Sequence, residues 1–475
     1  MLLRRLFNDQ LAQVSYLVAC DHARVGLVVD PNRDIAQYID AAARENIRIV
    51  AVTETHIHAD FLSGARELAD RTGAKLYLSD AGGPDWQYRF ASDADAELLT
   101  DGSHFMVGDV RVDAVHTPGH TPEHMTFLLT DTASANTPMG ALTGDFIFVG
   151  DVGRPDLLER AAGMSGTMEA AAVQLFQSLQ SFKEKPDYLQ IWPGHGAGSA
   201  CGKALGAMPQ TTLGYEKLFN WALVESDQKR FVADALDGQP EPPAYFAIMK
   251  KTNRDGPPAT TDESPGEVTA GAIAEAMKSG ADVVDVRPAD EFTASHAKGS
   301  INIPRNKSFL NWAGAVLPYD RDIWVIGDAS EKARRELALD LSLIGIHRIA
   351  GVASSKALSG MGSLGVSIQS ARDISILEAK DDREASVLDV RSRSEYEDGH
   401  IPGATNIPLA ELQRRLSDVP AGPLVVHCQG GTRSAIASSL LRRSGHEDVA
   451  NMPGGFGEWA RTGQRVERGA VPDRT

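Results

Sequence analysis

A chain of 475 residues is longer than one hydrophobic core usually serves, so it divides into two to four domains, and its 42% hydrophobic and 23% charged residues mark it as globular. The balance of 47 Lys and Arg against 64 Asp and Glu leaves a formal charge of -17, which disfavours nonspecific attraction to nucleic acid or anionic membrane. Small molecules or protein thiols are the expected partners. Met1 to Phe7 is apolar and basic, but Asn8, Asp9 and Gln10 break any secretory h-region, and no later run is long enough to span a bilayer. A cytoplasmic protein is expected. The 3 cysteines, Cys20, Cys201 and Cys428, are too few and too scattered for a disulfide framework, so each is judged as a single thiol.

From Tyr16 to about Leu223, apolar runs such as Tyr16 to Ala19, Val25 to Val29 and Ile47 to Val52 alternate with helical stretches such as Ile35 to Glu45, which predicts an α/β layered domain. After the run Ile47 to Val52 comes Thr55-His56-Ile57-His58-Ala59-Asp60. Residues two apart on an extended segment point to one side, so His56, His58 and Asp60 can converge on one point. His116-Thr117-Pro118-Gly119-His120, Thr143-Gly144-Asp145 and Pro193-Gly194-His195 follow, each a turn-flanked His or Asp after an apolar run. A lone His-x-His-x-Asp is as well explained by a hydrogen-bonded histidine pair. Four such elements in this order point to a metal-ligand set.

Cys201 lies in the Gly-rich segment Gly194 to Gly202 and reaches the metal mouth, as an accessory thiol, if that loop folds back. A small packed residue is the plainer reading, as it is for Cys20 at the end of an apolar strand. His116 and His124 flank His120 with nothing to set them apart from hydrogen-bonded loop histidines.

Residues Lys250 to Gly266 hold Gly256, Pro257, Pro258, Pro265 and Gly266 among polar residues, a composition that reads as a linker, at 251–267, after a first domain of residues 1–250. Beyond it, Asp285-Val286-Arg287 through Pro304 matches Asp389-Val390-Arg391 through Pro408 at a fixed offset of 104 residues, with nine of twenty positions identical. Two copies of one α/β domain are expected, at 268–370 and 371–475, each opening on a strand, Val283 to Val286 and Val387 to Val390.

The copies diverge after their next strand. In the second, Leu424 to His427 leads into Cys428-Gln429-Gly430-Gly431-Thr432-Arg433 and then a helix, Ser434 to Arg443. In the first, Ile323 to Ile326 leads to Gly327-Asp328-Ala329-Ser330, without a cysteine, and that copy is expected to be inert. Gly430 and Gly431 let the backbone curl so that N–H groups form a nest around a thiolate or its bound sulfur. The helix N-terminus and the charge of Arg433 add to the conditions that make a cysteine nucleophilic.

This half resembles the rhodanese (sulfurtransferase) family, through Asp389-Val390-Arg391, Glu395-Tyr396, Gly399-His400-Ile401-Pro402-Gly403-Ala404, Asn406-Ile407-Pro408 and the loop at Cys428. The resemblance implies that Cys428 carries a sulfane sulfur as a persulfide and passes it to a thiol or sulfite. Related phosphatases on this fold have one more residue between Cys and Arg, so the tighter loop here favours sulfur transfer.

The first half resembles the metallo-β-lactamase superfamily over about residues 1 to 245, in its glyoxalase II and persulfide dioxygenase branch. The expected fold is therefore α/β throughout, an αββα sandwich followed by two rhodanese-like domains. The hydrolases of that superfamily hold two metals and place a histidine directly after the motif's Asp, where this chain has Phe61. With only Asp60 and His195 left for a second ion, one metal per chain is expected. The resemblance assigns an Fe(II) to His56, His120 and Asp145, a set with open positions for O2 and a substrate sulfur. It leaves His58, Asp60 and His195 to orient those ligands through hydrogen bonds. Gly153-Arg154-Pro155-Asp156 also matches, with Arg154 expected to organise the rim or hold an anionic part of the substrate.

The implied activity is oxidation of a low-molecular-weight thiol persulfide by O2 to sulfite and thiol, coupled to sulfur transfer at Cys428. Two alternatives stand beside it: a glyoxalase II-like dinuclear zinc thioesterase fused to a sulfurtransferase, and a non-catalytic persulfide sensor. The carrier thiol is left open, and a homo-oligomer is compatible with the sequence.

Overall fold

The computed structural model describes residues 1–160, 166–203, 205–239, 241–259, 264–382 and 384–469, without the side chains of 158 and 160. Two compact units form, Met1–Thr261 with Ser342–Gly345, and Asp262–Leu341 with Ile346–Thr475.

The first unit is built on two six-stranded sheets. One runs in the order β1 (Leu2–Asn8), β2 (Gln13–Cys20), β3 (Val25–Val29), β4 (Arg48–Thr53), β5 (Lys75–Ser79), β6 (Glu97–Leu99). The other comprises β7 (His104–Val107), β8 (Val110–His116), β9 (Met125–Asp131), β10 (Gly140–Gly144), β11 (Gln190–Pro193) and β12 (Thr211–Thr212), in the order β12-β11-β10-β9-β8-β7.

The two-residue period of a strand explains the layering. Tyr16, Val18 and Cys20 of β2 enter the core between the sheets with Phe127 and Leu129 of β9, while Leu17 and Ala19 face the opposite way. There they meet Tyr38 of the helix Ile35–Arg44 and Leu68 of the helix Ala65–Thr72. The outer face of the second sheet is covered by Leu175 and Leu179 of the helix Met168–Phe182 and Phe231 of the helix Gln228–Leu236. This is the αββα sandwich that the sequence predicts.

The segment expected as a linker begins later than its composition suggests. The helix Phe246–Asp255 runs through Lys250 and ends at Gly256, whose φ of +105° halts it. Its Asn253 is buried. The composition reading weighed the Gly and Pro of 256–266 and overlooked the apolar face, Phe246 and Met249, that docks the helix.

The second unit contains both copies of the repeat. Parallel sheets are ordered Ile301–Asn302, Asp282–Asp285, Ile323–Gly327, Ile349–Ser354 in the first copy and Arg372–Asp373, Val449–Asn451, Leu424–His427, Ser386–Asp389, Thr405–Asn406 in the second. The repeated residues prove to be staples. Arg287 pairs with Asp285 as Arg391 pairs with Asp389, each with its Nη2 to Oδ2 distance at 2.6 Å. Asn302 and Asn406 each donate to two carbonyls at 3.0 Å, those of Asp285 and Arg287 and of Asp389 and Arg391. His296 and His400 each engage the carbonyl four residues earlier. The first copy thus keeps the scaffold while Gly327 stands where the second has its thiol, since Ile326 and His427 pair with the matching residues Asp285 and Asp389.

Candidate functional site

The metal-ligand candidates follow strand ends, as functional loops on a rigid sheet do. His56, His58 and Asp60 follow β4; His120 lies between β8 and β9; Asp145 follows β10 and His195 follows β11. The structure brings His56, His120 and Asp145 together, with one donor atom of each within 4.8 Å of the others and all three buried. His56 Nε2 lies 3.9 Å and His120 Nε2 3.4 Å from Asp145 Oδ2.

The rings are held from behind. His120 Nδ1 donates to the Arg154 carbonyl at 3.1 Å and His195 Nδ1 to the Ala12 carbonyl at 3.1 Å. A carbonyl accepts only from N–H, so each Nε2 turns a lone pair toward the centre. His56 Nδ1 meets Thr55 Oγ1 at 3.0 Å. Burial, reinforced by neighbouring histidines, pushes the pKa of His56 well down, and burial also lowers that of His120. Burial opposes ionisation of Asp145, but His195 and His120 outweigh it and hold that carboxyl below its ordinary value. Neutral imidazoles and an ionised carboxylate are the forms a metal takes as ligands.

Both oxygens of Asp145, both of Asp60, and Nδ1 of His58 are buried without a hydrogen-bond partner. Such groups are costly in a protein interior unless a cation or ordered water satisfies them. The donor set therefore fits a metal ion at His56, His120 and Asp145.

A second trio corrects one expectation. Asp60 and His195 are joined by Cys201, again with donor atoms within 4.8 Å, because the loop after β11 folds back. The Arg154 N–H donates to the Cys201 carbonyl at 3.2 Å and fixes that return. His195 Nε2 lies 3.3 Å from Asp60 Oδ2 and 3.4 Å from Asp145 Oδ1. Burial, with the Asp145 and Asp60 carboxylates beside it, pushes the Cys201 thiol pKa well up. Three donors, not two, thus lie together here, and the buried ring of Phe61 lies 4.3 Å from that of His58.

Arg154, expected to organise the rim or hold an anionic part of the substrate, is fully buried, bound to Asp156 through Nε and Nη2 at 2.8 and 2.7 Å, with Nη1 donating to the Ala200 carbonyl. Two positioning residues escaped the sequence reading. Asp30, at φ +53°, accepts from the Thr55 N–H at 2.6 Å and faces His58 Nε2 at 3.1 Å. Burial opposes charge on His58, yet Asp30, Glu54 and Asp60 raise its pKa to about 9. His124, which sequence left among ordinary loop histidines, is wholly buried, accepts from the Asp145 N–H at 3.2 Å, and stacks on His56 with ring centroids 5.1 Å apart. Only the unremarkable offset from His120 could have signalled it.

In the second unit Cys428 is buried and its Sγ accepts from the Gly431 N–H at 3.1 Å. Gly431 has φ +98°, and a Cβ there would lie 2.5 Å from the Pro453 carbonyl oxygen, so glycine is required. At Gly430 an added Cβ meets nothing within 4 Å, so the nest depends on one of the two expected glycines. Arg433 opens the helix Thr432–Arg443 but does not offer a free charge: Glu395 engages it at 2.6 and 2.7 Å. Burial opposes ionisation of Glu395, but Arg433 prevails and lowers its pKa to about 2.

Residues 8–195 match the metallo-beta-lactamase superfamily, and residues 269–353 and 375–462 each match the rhodanese-like domain. A solved metallo-beta-lactamase from Staphylococcus aureus subsp. aureus COL is 41% identical, covers 74% of this chain and 99% of its own, and superposes with a TM-score of 0.69. Among curated proteins, the uncharacterized protein YqhL of Bacillus subtilis is 41% identical over 78 residues, 16% of this chain and 62% of its own length. The chain thus spans less than two thirds of that relative. The probable polyketide biosynthesis zinc-dependent hydrolase BaeB of Bacillus velezensis is 24% identical over 213 residues, 45% of this chain and 85% of its own. The chain therefore belongs to the metallo-beta-lactamase superfamily and carries, after that domain, two rhodanese-like domains.

Proposed function

We propose that the protein oxidises low-molecular-weight thiol persulfides with O2, releasing sulfite and the thiol, and moves sulfane sulfur through Cys428. The overall change is RSSH + O2 + H2O giving RSH, SO3²⁻ and two protons. The observation that carries this reading is the convergence of two neutral imidazoles and one carboxylate, His56, His120 and Asp145, in a chain that has Phe61 after the motif's Asp. A ferrous ion held by these three would keep adjacent positions open for O2 and a persulfide sulfur. Around it Asp30 orients His58, His124 holds the Asp145 backbone, and Arg154 anchors both His120 and the Cys201 loop. Apolar rings pack against two of the surrounding histidines, Phe61 at 4.3 Å from His58 and Phe148 at 6.1 Å from His195.

At the second site the Gly431 N–H and the start of the helix Thr432–Arg443 hold the Cys428 sulfur that accepts and donates sulfane sulfur. A small thiol that takes sulfane sulfur from Cys428 becomes the persulfide that the first site oxidises.

A second reading, a dinuclear metallo-hydrolase fused to a sulfurtransferase, is favoured by the trio Asp60, His195 and Cys201 and by the naming of BaeB as zinc-dependent. Anaerobic purification, metal counting and O2 uptake with glutathione persulfide separate the two. One iron per chain with sulfite formation supports the dioxygenase. Two zinc ions with thioester hydrolysis and no O2 uptake would sink it.

A further inference from the structure

The loop of residues 54–63, which carries His56, His58 and Asp60, has no helix or strand of its own. Its backbone groups must find partners elsewhere. At its start, the Ile57 N–H donates to Glu123 Oε1 at 2.8 Å, and the Thr55 carbonyl accepts from the Met125 N–H at 2.7 Å. From His58 onward the Leu62 N–H donates to the Leu343 carbonyl at 2.7 Å and Ser63 bridges to Asn32, while further partners come from the helix Phe246–Asp255 and the residue before it.

Asn253 spends its whole amide on this loop. Its Nδ2 donates to the carbonyls of His58 and Phe61, both at 2.8 Å, and its Oδ1 accepts from the Ser63 N–H at 2.9 Å. Tyr245 Oη donates to the Asp60 carbonyl at 3.1 Å. Both side chains are buried, at 1% and 3% exposure, so solvent cannot replace these bonds. An amide with two donors and one acceptor, all satisfied by a single six-residue span, fixes the path of that span.

We infer that Asn253 is a positioning residue of the metal centre, setting the course of His58 through Ser63 so that Asp60 faces His195 and His58 faces Asp30. Lys250 secures the same helix, its Nζ 3.3 Å from the centroid of the Trp86 ring. The inference requires a metal at His56, His120 and Asp145 and is indifferent to the reaction performed there.

The test uses the full-length chain, stripped of metal and titrated with Co(II). Partners behind metal ligands commonly alter affinity 10–100-fold, and Asn253→Asp, which loses both donations and sets a carboxylate against two carbonyls, is expected to weaken Co(II) binding by about that factor. Its Co(II) absorption bands should shift, while sulfur transfer at Cys428 stays at the wild-type rate. Tyr245→Phe removes one bond and should shift the bands in the same direction with a smaller loss. Circular dichroism on the same samples reports the folded fraction. Wild-type affinity and bands in folded Asn253→Asp, or losses that merely follow the unfolded fraction, overturn the inference. Should Asn253→Asp fail to fold, unchanged bands in folded Tyr245→Phe overturn it, and shifted bands support it.

Discussion

Asp145 and His195 meet at 3.4 Å through Oδ1, while the other oxygen of the same carboxylate faces His120 at 3.4 Å, so a ligand candidate of the first donor trio also touches a member of the second. Asp145→Ala removes a donor from the first trio and the carboxylate beside His195 in the second. The expected outcome is loss of bound metal and of O2 uptake with glutathione persulfide, with sulfur transfer at Cys428 retained. Cys428→Ser should do the reverse, abolishing transfer from thiosulfate and sparing O2 uptake when the persulfide is supplied. A fall of both activities together in either folded variant would contradict the division of labour between the units.

The pKa pattern makes metal binding a proton count. His56 and His120 are lowered and Asp145 is lowered, so all three are ready as ligands at neutral pH, whereas His58 is raised to about 9 and is still protonated there. If only the trio binds, affinity for Fe(II) or Co(II) should stay nearly level from pH 7 to 8. If His58 also binds through Nδ1, one proton leaves and affinity should rise about tenfold per pH unit. Titration in buffers of different ionisation enthalpy reads the number directly. In the metal-free protein the sign is opposite: stability from the His58–Asp30 contact is full below about pH 6.5 and fades as pH rises through 9.

Arg154 and Asp156 form a pair with no exposure of either side chain. Breaking such a pair by removing one partner costs about 3–5 kcal/mol, because a charge is left in the interior. Arg154→Ala should lose roughly that much stability in denaturant unfolding of the first unit. Arg154→Lys, which cannot reproduce the two-pronged contact, should recover only part of it.

Glu395 is held at about pKa 2 by Arg433 and also caps its own helix through Ser392. A carboxyl lowered in the folded state adds stability above the unfolded value, near 4.5, and that contribution disappears as pH falls toward 2. Glu395→Gln should therefore be less stable than the parent at pH 7, with the gap narrowing below pH 4.5. Parallel unfolding curves at pH 7 and pH 3 check it.

The clustering of the candidate ligands was legible because His56, His120, Asp145 and His195 each follow an apolar strand and a turn, a pattern local in sequence. The repeat was legible because its staples, Asp285 with Arg287 and Asp389 with Arg391, sit two residues apart. Asp30, His124 and Asn253 were not. Asp30 and Asn253 act on segments 25 and 195 residues away, through hydrogen bonds that impose no periodicity on either partner. Cys201 was visible as a thiol near His195, but its place with Asp60 depends on a loop return that an Arg154 amide sets from another strand end.

Because the polypeptide from Tyr245 to Asp255 completes the cradle under Asp60, a fragment cut at residue 250 would carry every candidate ligand and still lack Asn253. Work on the N-terminal half in isolation should end no earlier than Pro258, whose carbonyl takes the guanidinium of Arg33. Shorter versions risk being mistaken for proteins with an intrinsically feeble appetite for metal.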